Sequence, residues 1–381
     1  MPDSVRLYGM PGSLYTAKAR AYLRKQHIAF DEVPVGDPSF SAIGSQVGRW
    51  IIPVIETDDG TIIQDNVDII DHFERANLAR LSAYPETPAH LITTMIVELF
   101  GGEGLLRPAM HYRWNFDEQN LAFLRRDFSA ALAPFADEAA QDASFAMSSG
   151  RMRKATESFG VAPQTHAAIE NSYAEFLSLL NDHLATMPYL LGGKPTLGDY
   201  GLAGALFGHL ARDPAPSILM KTTAHHVWRW TERMNAPEAT LDRFSGAGET
   251  LVADDAIPGT LLAILAFVAK DFLPELVAHV SFANEWLAAN PDIKPGTNGL
   301  PKPGARSIGF APFEWRGHHI KTAVMPYRFW MLQRIQDRFA ALDENGQTKV
   351  QTLLERAGLG AILRLATVRR VERRSSLEVW A

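Results

Sequence analysis

Three short segments in the first 66 residues, the polar clusters, offer side-chain or backbone polar groups that could hold a small charged ligand. Ser13 follows the loop pair Pro11-Gly12 and precedes a helix-like run over residues 16–26. A hydroxyl there can donate a hydrogen bond to a bound anion, and the helix N-terminus adds positive potential. Together they would lower the pKa of a bound thiol from about 8.5 and favour its thiolate. A helix cap is the commoner role for a lone serine at such a position.

Pro53 is the second feature, because it interrupts the strand-like run over residues 51–56. Proline cannot donate a hydrogen bond to a sheet and is rare inside a strand. A cis peptide bond would explain its presence, and it would turn the backbone of Ile52 outward, free to pair with a peptide-like ligand. The alternative, which the general frequencies favour, is an ordinary proline on an edge strand.

The third cluster is the pair Asp65-Asn66, at the junction between a strand and a helix. Asp65 could pair with an ammonium group, while Asn66 and the first helical N–H groups could hold a carboxylate. A free amino acid end carries both of these charges. An Asp-Asn pair before a helix is, on its own, more often a simple cap.

The elements that position these residues alternate between strand and helix over the first 76 residues. The predicted order is βαβ, a connection, and then ββα, with Asp58-Asp59-Gly60 as a hairpin signal. Beyond about residue 85, apolar residues recur at helical spacing. The predicted helices cover residues 89–112, 118–140, 166–186, 197–210 and 224–234, with residues 141–165 as a looser connection.

The last third of the chain is predicted to be mostly helical. Residues 244–255 are polar and contain glycine, which is typical of a linker, and helix-like stretches follow at 261–290 and 331–359. Between these stretches lie a Pro/Gly-rich run at 290–304 and a mixed aromatic segment at 308–330. The aromatic segment favours core packing over a lid. The arginines at 369, 370, 373 and 374 predict a solvated face.

Composition restricts the class of protein. The chain has 381 residues, a net charge of −6 and no cysteine. The length suggests two or three domains, and the charge gives no reason to expect nucleic acid. Without cysteine, disulfides and thiolate chemistry of the chain's own are excluded. No signal peptide or membrane-spanning run is apparent, so we expect a cytoplasmic protein without membrane contact. The adjacent histidines lack the spacing of metal ligands, so we expect no metal.

Taken in order, these segments resemble the cytosolic glutathione transferases. LYGMPGSLYTAKARAYLRKQHIAFDEV resembles the opening of that family, and IIPVIETDDGTIIQDNVDIIDHFE resembles the block that follows. Further on, KPTLGDYGLAGALF resembles the family's helical segment with its buried capping box. The resemblance covers residues 1–235 or so. It implies an α/β thioredoxin-like N-terminal domain (1–80), an all-α domain (86–243) and an additional, mostly helical C-terminal extension (250–381).

The resemblance assigns roles to the three polar clusters. Ser13 matches the catalytic serine that stabilises the glutathione thiolate. Ile52, before a cis Pro53, would pair its backbone with the cysteinyl part of glutathione. Asp65 and Asn66 match the Glu-Ser pair that binds the γ-glutamyl end, with a shorter carboxylate side chain and an amide in place of the hydroxyl.

Three further residues follow from the same resemblance. Arg49 would reach the glycine carboxylate. Tyr8 is the alternative catalytic hydroxyl, because other branches of the family use a tyrosine on the first strand. Tyr112 ends a predicted helix that lines the second-substrate pocket in this family. Leu14 stands where the family often has a proline after its serine.

The implied activity is activation of the glutathione thiol for attack on a small hydrophobic electrophile, with glutathione as co-substrate and no metal. The resemblance also implies a homodimer. The alternative is a non-catalytic binding or assembly protein on the same scaffold, which the altered pair at residues 65–66 and the C-terminal extension motivate.

Overall fold

A computed structural model describes residues 5–238, 242–244 and 246–381. The N-terminal unit is a four-stranded sheet in the order β2-β1-β3-β4, in which β2 runs parallel to β1 and the other two pairs are antiparallel. Its elements are β1 (Val5–Gly9), α1 (Leu14–Lys25), β2 (Phe30–Pro34), α2 (Ser39–Val47), β3 (Val54–Glu56), β4 (Ile62–Gln64) and α3 (Asn66–Arg75). Within the predicted connection, residues 39–47 form the helix α2.

The second unit is helical. It consists of α4 (Pro88–Leu99), α5 (Leu106–Trp114), α6 (Asp117–Leu132), α7 (Glu138–Ala155), α8 (His166–Leu184), α9 (Leu197–Ala205), α10 (Pro214–Thr223) and α11 (His225–Met234). A π-helical turn, Phe100–Gly104, joins α4 to α5. The run Pro88–Trp114 is long and apolar enough to cross a membrane, yet 89% of its most apolar window is buried inside the protein, as in a core helix.

The predicted loose connection at 141–165 is wrong over most of its length, because α7 occupies Glu138–Ala155. Asp137 caps this helix by accepting a hydrogen bond from the backbone N–H of Ala140. Only Phe145 and Ser149 of α7 are buried. A helix that packs so little of its surface has no apolar stripe, so hydrophobic periodicity cannot reveal it.

The extension contains α12 (Gly259–Asp271), α13 (Leu273–Ala289), α14 (Pro326–Ala340) and α15 (Glu344–Arg356). It also contains two antiparallel hairpins, β5 (Phe310–Trp315) with β6 (His318–Ala323) and β7 (Val371–Arg374) with β8 (Leu377–Trp380). The first hairpin accounts for much of the segment that the sequence showed only as mixed and aromatic. The mostly helical extension is confirmed, with the hairpins as an addition to it.

The segment before the extension is bound to the helical unit by hydrogen bonds. The backbone of Gly193 donates to the carbonyl of Thr250, and the Asp255 carboxylate accepts from the backbone N–H groups of Ala89 and His90 at the start of α4. The two bonds to Asp255 satisfy N–H groups that have no partner within the helix. Residue 245 of the predicted linker, and residues 1–4 and 239–241 of the predicted domains, lie outside the described residues.

All three units contribute to one hydrophobic core. Leu7 of β1, Phe176 of α8 and Trp380 of β8 belong to the same buried cluster. Because burial of such side chains dominates folding stability, the extension shares the core of the other units instead of building its own.

A buried charge network fastens the extension to the helical unit. Arg328 of α14 contacts Glu103 at 2.8 Å and Glu275 at 2.5 Å, and Arg107 of α5 contacts Glu275 at 2.7 Å. Each of these side chains exposes less than 5% of its surface. Burial alone would raise the pKa of Glu275, but the guanidinium groups of Arg328 and Arg107 hold it well below its usual value.

Candidate active site

The three polar clusters meet at one edge of the sheet. In the strand register Tyr8 lies opposite Val54, and Val54 lies opposite Gln64. The end of β1, the start of β3 and the end of β4 therefore coincide. The backbone N–H of Asp65 donates to the carbonyl of Pro53 at 3.2 Å, which joins the second cluster to the third.

Ser13 lies just beyond β1 and caps α1. Its Oγ accepts from the backbone N–H of Thr16 at 3.2 Å. Its own backbone N–H donates to the carbonyl of Met10. A hydroxyl that accepts in this way keeps its hydrogen, so Ser13 can cap the helix and still donate to a ligand anion.

Arg113 of α5 holds the loop that carries Ser13. Its Nη1 donates to the carbonyl of Gly12 at 2.6 Å, and its Nη2 donates to the carbonyl of Gly208 at 3.1 Å. The same guanidinium pairs with both oxygens of Asp213, at 2.6 and 2.8 Å. Burial raises the pKa of the Asp213 carboxyl, and the Arg113 charge opposes that rise. Sequence reasoning missed this arrangement, because its members are about 100 residues apart.

The Ile52–Pro53 peptide bond is cis. Within the part of the chain that the structure describes, the N–H and carbonyl of Ile52 make no hydrogen bond. Its half-buried side chain packs against an apolar cluster that includes Met10 and Trp114. An extended ligand at this edge would therefore meet a free backbone donor and acceptor beside an apolar wall.

Asp65 precedes α3 with a φ of 88°, a left-handed conformation that is uncommon for residues other than glycine. Its Oδ1 accepts from the backbone N–H of Val67 at 2.9 Å and from the Tyr327 hydroxyl at 3.0 Å. Asn66 is buried, and its amide makes no hydrogen bond to the described residues. Asn66 lines a small cavity of about 10 Å³ together with Tyr15 and Tyr327.

Arg49 is engaged by the C-terminal hairpin. Its Nη1 contacts Glu378 of β8 at 2.7 Å, and both side chains are 5% exposed. Glu378 also accepts from Arg373 of β7 at 3.0 Å. The Nε and Nη2 atoms of Arg49 are buried and have no hydrogen-bond partner among the described residues.

Arg373 itself reaches the sheet edge, since its Nη2 donates to the Gln64 side chain at 3.0 Å and its Nε lies 3.0 Å from Asp68. Its side chain is only 7% exposed, so the predicted solvated face does not include this arginine. Burial raises the pKa of Asp68 to about 6, although Arg373 opposes the rise. A tail that is 300 residues away in the sequence thus forms part of the candidate site.

Tyr8 lies on the other face of the sheet from α1. Its side chain packs against Phe40 of α2, with ring centroids 5.7 Å apart. Its hydroxyl donates to Glu56 at 2.9 Å. Adjacent residues of a strand point to opposite faces, and Leu7 is the neighbour that packs in the main core with α1.

Tyr112 of α5 lies in the main core, where α5 packs against α8. Its ring stacks on Phe116 at 5.0 Å and lies 5.3 Å from Tyr173. Burial raises the pKa of its hydroxyl far above the usual value. The structure therefore brings Ser13, Ile52, Pro53, Asp65, Asn66 and Arg49 to one edge of the sheet. It turns the Tyr8 side chain to the face that packs on α2, and it places Tyr112 in the main core.

No group of three or more His, Asp or Glu side chains within residues 5–238, 242–244 and 246–381 is arranged to hold a metal ion. The groups that the described residues present at this edge are a hydroxyl, a free backbone, carboxylates and guanidinium groups.

Two family models match the chain. Residues 7–79 match the glutathione S-transferase N-terminal domain, and residues 163–233 match the glutathione S-transferase C-terminal domain. No curated protein matches.

Among solved structures, one similar chain is a glutathione transferase, GSTFuA3, from Phanerochaete chrysosporium. It is 17% identical over 64% of this chain and 100% of its own, with a TM-score of 0.45. Another is the β-etherase LigF from Sphingobium sp. strain SYK-6, which is 16% identical over 63% of this chain and 97% of its own, with a TM-score of 0.42. With its thioredoxin-like sheet followed by a helical domain, and with both family models matched, the chain belongs to the glutathione transferase superfamily.

Proposed function

We propose that this protein activates the thiol of glutathione for attack on a small hydrophobic electrophile. The observation that carries the proposal is the position of the Ser13 hydroxyl. It caps α1 at the same sheet edge as the unpaired backbone of Ile52, and it retains a hydrogen to donate. Membership of the superfamily makes glutathione the ligand to be tested there.

In this proposal each polar group at the edge binds one part of glutathione. The backbone of Ile52 pairs with the cysteinyl residue, which places the sulfur near Ser13. Asp65 takes the γ-glutamyl ammonium, while Asn66 and the N-terminus of α3 take the neighbouring carboxylate. Arg49 offers its unpaired N–H groups to the glycine carboxylate.

Catalysis then requires a thiolate and an acceptor held close together. The Ser13 hydroxyl and the positive end of α1 stabilise the sulfur anion, which lowers the pKa of the thiol. The thiolate attacks an electrophilic carbon, the carbon–sulfur bond forms, and the leaving group departs with the electron pair of the broken bond. Met10 and Ile52 line an apolar cluster beside the Ser13 loop, which supports a hydrophobic acceptor.

The surroundings of Tyr8 support the choice of Ser13 as the catalytic hydroxyl. Tyr8 is 1% exposed, faces α2 and already donates to Glu56. A donor in that position has neither access to the sulfur end of the site nor a free hydrogen.

The test measures turnover of glutathione with an aryl-halide acceptor, together with the pKa of enzyme-bound glutathione from the absorbance of its thiolate. Ser13→Ala should reduce turnover and raise the thiol pKa. Ser13→Asp keeps a side chain that caps helices well but adds negative charge, so it should raise the thiol pKa at least as much. Tyr8→Phe serves as the control and should leave the thiol pKa unchanged. Equal turnover by the wild type and Ser13→Ala would contradict the mechanism.

The same superfamily membership supports a homodimer in the cytoplasm, with a small-molecule acceptor as the other reactant. Light scattering of the purified chain tests the dimer. Calorimetry with glutathione separates an enzyme from a non-catalytic binding or assembly protein on this scaffold. The absence of glutathione binding at millimolar concentration would contradict the enzyme proposal.

A further inference from the structure

Arg306 lies in the loop between α13 and β5, and among the described residues its guanidinium has no partner. It forms no hydrogen bond or ion pair within residues 5–238, 242–244 and 246–381, and its Nε is buried and unsatisfied. A buried N–H group without an acceptor costs free energy, so the unpaired Nε of Arg306 indicates a missing acceptor. The residue is only half-buried, so a ligand can reach it.

The neighbours of Arg306 place it at the candidate active site. Burial opposes its ionisation, but the nearby Tyr15 and Glu378 outweigh that effect and raise the pKa of the guanidinium. Tyr15 lies in the first turn of α1, directly after the Ser13 loop, and Glu378 is the carboxylate paired with Arg49. Gly304, two residues earlier, packs against Arg49, at 3.7 Å from its Cγ to the position of an added Cβ.

Arg49, which packs against Gly304, also has N–H groups without an acceptor among the described residues. One of its nitrogens binds Glu378, while Nε and Nη2 are buried and unpartnered. The other oxygen of Glu378 accepts from Arg373. This single carboxylate therefore has Arg49 and Arg373 as direct partners and Arg306 as a further cation nearby. Arg373 also contacts Asp68, so Arg49 and Arg306 are the two guanidinium groups beside Glu378 that keep buried N–H groups without an acceptor among the described residues.

We propose that Arg306 of the C-terminal extension binds a carboxylate of the peptide ligand at the sheet edge, as a specificity-determining residue from outside the matched family domains. The inference rests on the proposed function, because that function identifies the ligand as glutathione. Glutathione has a carboxylate at its γ-glutamyl end and another at its glycyl end. Arg306 can pair with either carboxylate, and ligands that lack one end of glutathione show which of the two it contacts.

The experiment is calorimetry on the full chain with glutathione, with γ-glutamylcysteine, which lacks the glycyl end, and with cysteinylglycine, which lacks the γ-glutamyl end. The variants are Arg306→Met, Arg306→Lys and, as a matched control, Arg374→Met. Arg374 is an exposed arginine of the same extension, paired with Glu372.

We expect Arg306→Met to weaken glutathione binding by about ten- to a hundredfold, the usual effect of losing a charged hydrogen bond. Arg306→Lys should recover part of the affinity, and Arg374→Met should bind as the wild type does. If γ-glutamylcysteine shows the same loss, the γ-glutamyl carboxylate is the partner. If cysteinylglycine shows it, the glycyl carboxylate is the partner.

Stability of the ligand-free protein separates binding from a structural role. Because Arg306 has no hydrogen-bond or ion-pair partner in the described part of the chain, Arg306→Met should leave the denaturation midpoint unchanged or raise it. A lowered midpoint that accompanies the loss of affinity would overturn the proposal, and so would equal glutathione binding by the wild type and Arg306→Met. Failure of the wild-type chain to bind glutathione would instead contradict the proposed function itself.

Discussion

Replacement of Arg113 by methionine should both destabilise the protein and release the Ser13 loop. The guanidinium is 3% exposed, and its partner Asp213 is fully buried. The substitution removes a two-point ion pair at 2.6 and 2.8 Å and the donor to the carbonyl of Gly12. Methionine is similar in length and apolar, so the missing charge, and not a cavity, dominates the effect.

The magnitude follows from what remains after the substitution. Asp213 would keep its negative charge in the interior without a partner, which typically costs about 3–5 kcal/mol. Arg113→Met combined with Asp213→Leu removes both charges and should recover a large part of that loss. The exposed pair of Arg125 and Asp142 is the matched control, and Arg125→Met should cost about 0–1 kcal/mol.

The assay is denaturant unfolding of the four proteins, followed by turnover of glutathione under conditions where each variant is folded. Because Arg113 fixes the carbonyl of Gly12, next to Ser13, turnover by Arg113→Met should fall at least about tenfold, as small displacements of catalytic groups do. A loss of unfolding free energy below about 1 kcal/mol in Arg113→Met would refute the reasoning about burial. Unchanged turnover would refute the positioning of the loop.

Two further predictions concern the interior. Burial lowers the pKa of His183 to about 4, so its contribution to stability is present at neutral pH and is lost as the pH falls from about 6.5 towards 4. Between about pH 7.5 and pH 5, the unfolding free energy of His183→Gln should therefore fall by about 2 kcal/mol less than that of the wild type. Denaturant unfolding at the two pH values measures both losses, and equal losses would contradict the prediction. Gly101→Ala should cost about 1–3 kcal/mol, because a Cβ there would lie 2.4 Å from the backbone of Gly201. The adjacent Gly102→Ala meets nothing within 4 Å and should not lower the thermal midpoint, and similar midpoints for the two variants would refute the packing argument.

The polar clusters were predictable because each depends on chemistry that is local in the sequence. A serine after Pro-Gly and before an apolar-periodic run has few structural options, and Ser13 does cap α1. The Asp-Asn pair likewise lies at the start of α3. The alternation of strand and helix then brings both to the same sheet edge, since β1, β3 and β4 are close in sequence as well as in space.

The contribution of the extension was not predictable in the same way. Arg49 and Glu378 are separated by 329 positions, and a single arginine and a single glutamate have no periodicity to relate them. Four nearby arginines in the tail indicate a charged surface, yet Arg373 is buried, with Gln64 as a hydrogen-bond partner and Asp68 as an ion-pair partner. Pairing between side chains depends on the assembled fold, so it becomes visible only after the fold is known.

The first hairpin of the extension did carry a local signal. The burial of β5 alternates strictly, with Ala311, Phe313 and Trp315 inside, and the Arg316-Gly317 pair turns the chain with both φ angles positive. Period-two alternation on either side of a two-residue turn ending in glycine is a hairpin signature. The concentration of aromatic residues in this segment predicts burial, but burial alone does not distinguish a strand from a helix.

The way the extension is attached explains how it reaches the candidate site. Arg328 is fixed by Glu103 and Glu275, and its neighbour Tyr327 donates to Asp65. Removing one member of such a buried network leaves an unpaired charge, so breaking these contacts is costly. These contacts hold α14 at the start of α3, just as the pairing of Arg49 with Glu378 holds the C-terminal hairpin. The candidate site and the extension are therefore joined by buried ion pairs, and the electrostatics of the site depends on the charges of the extension.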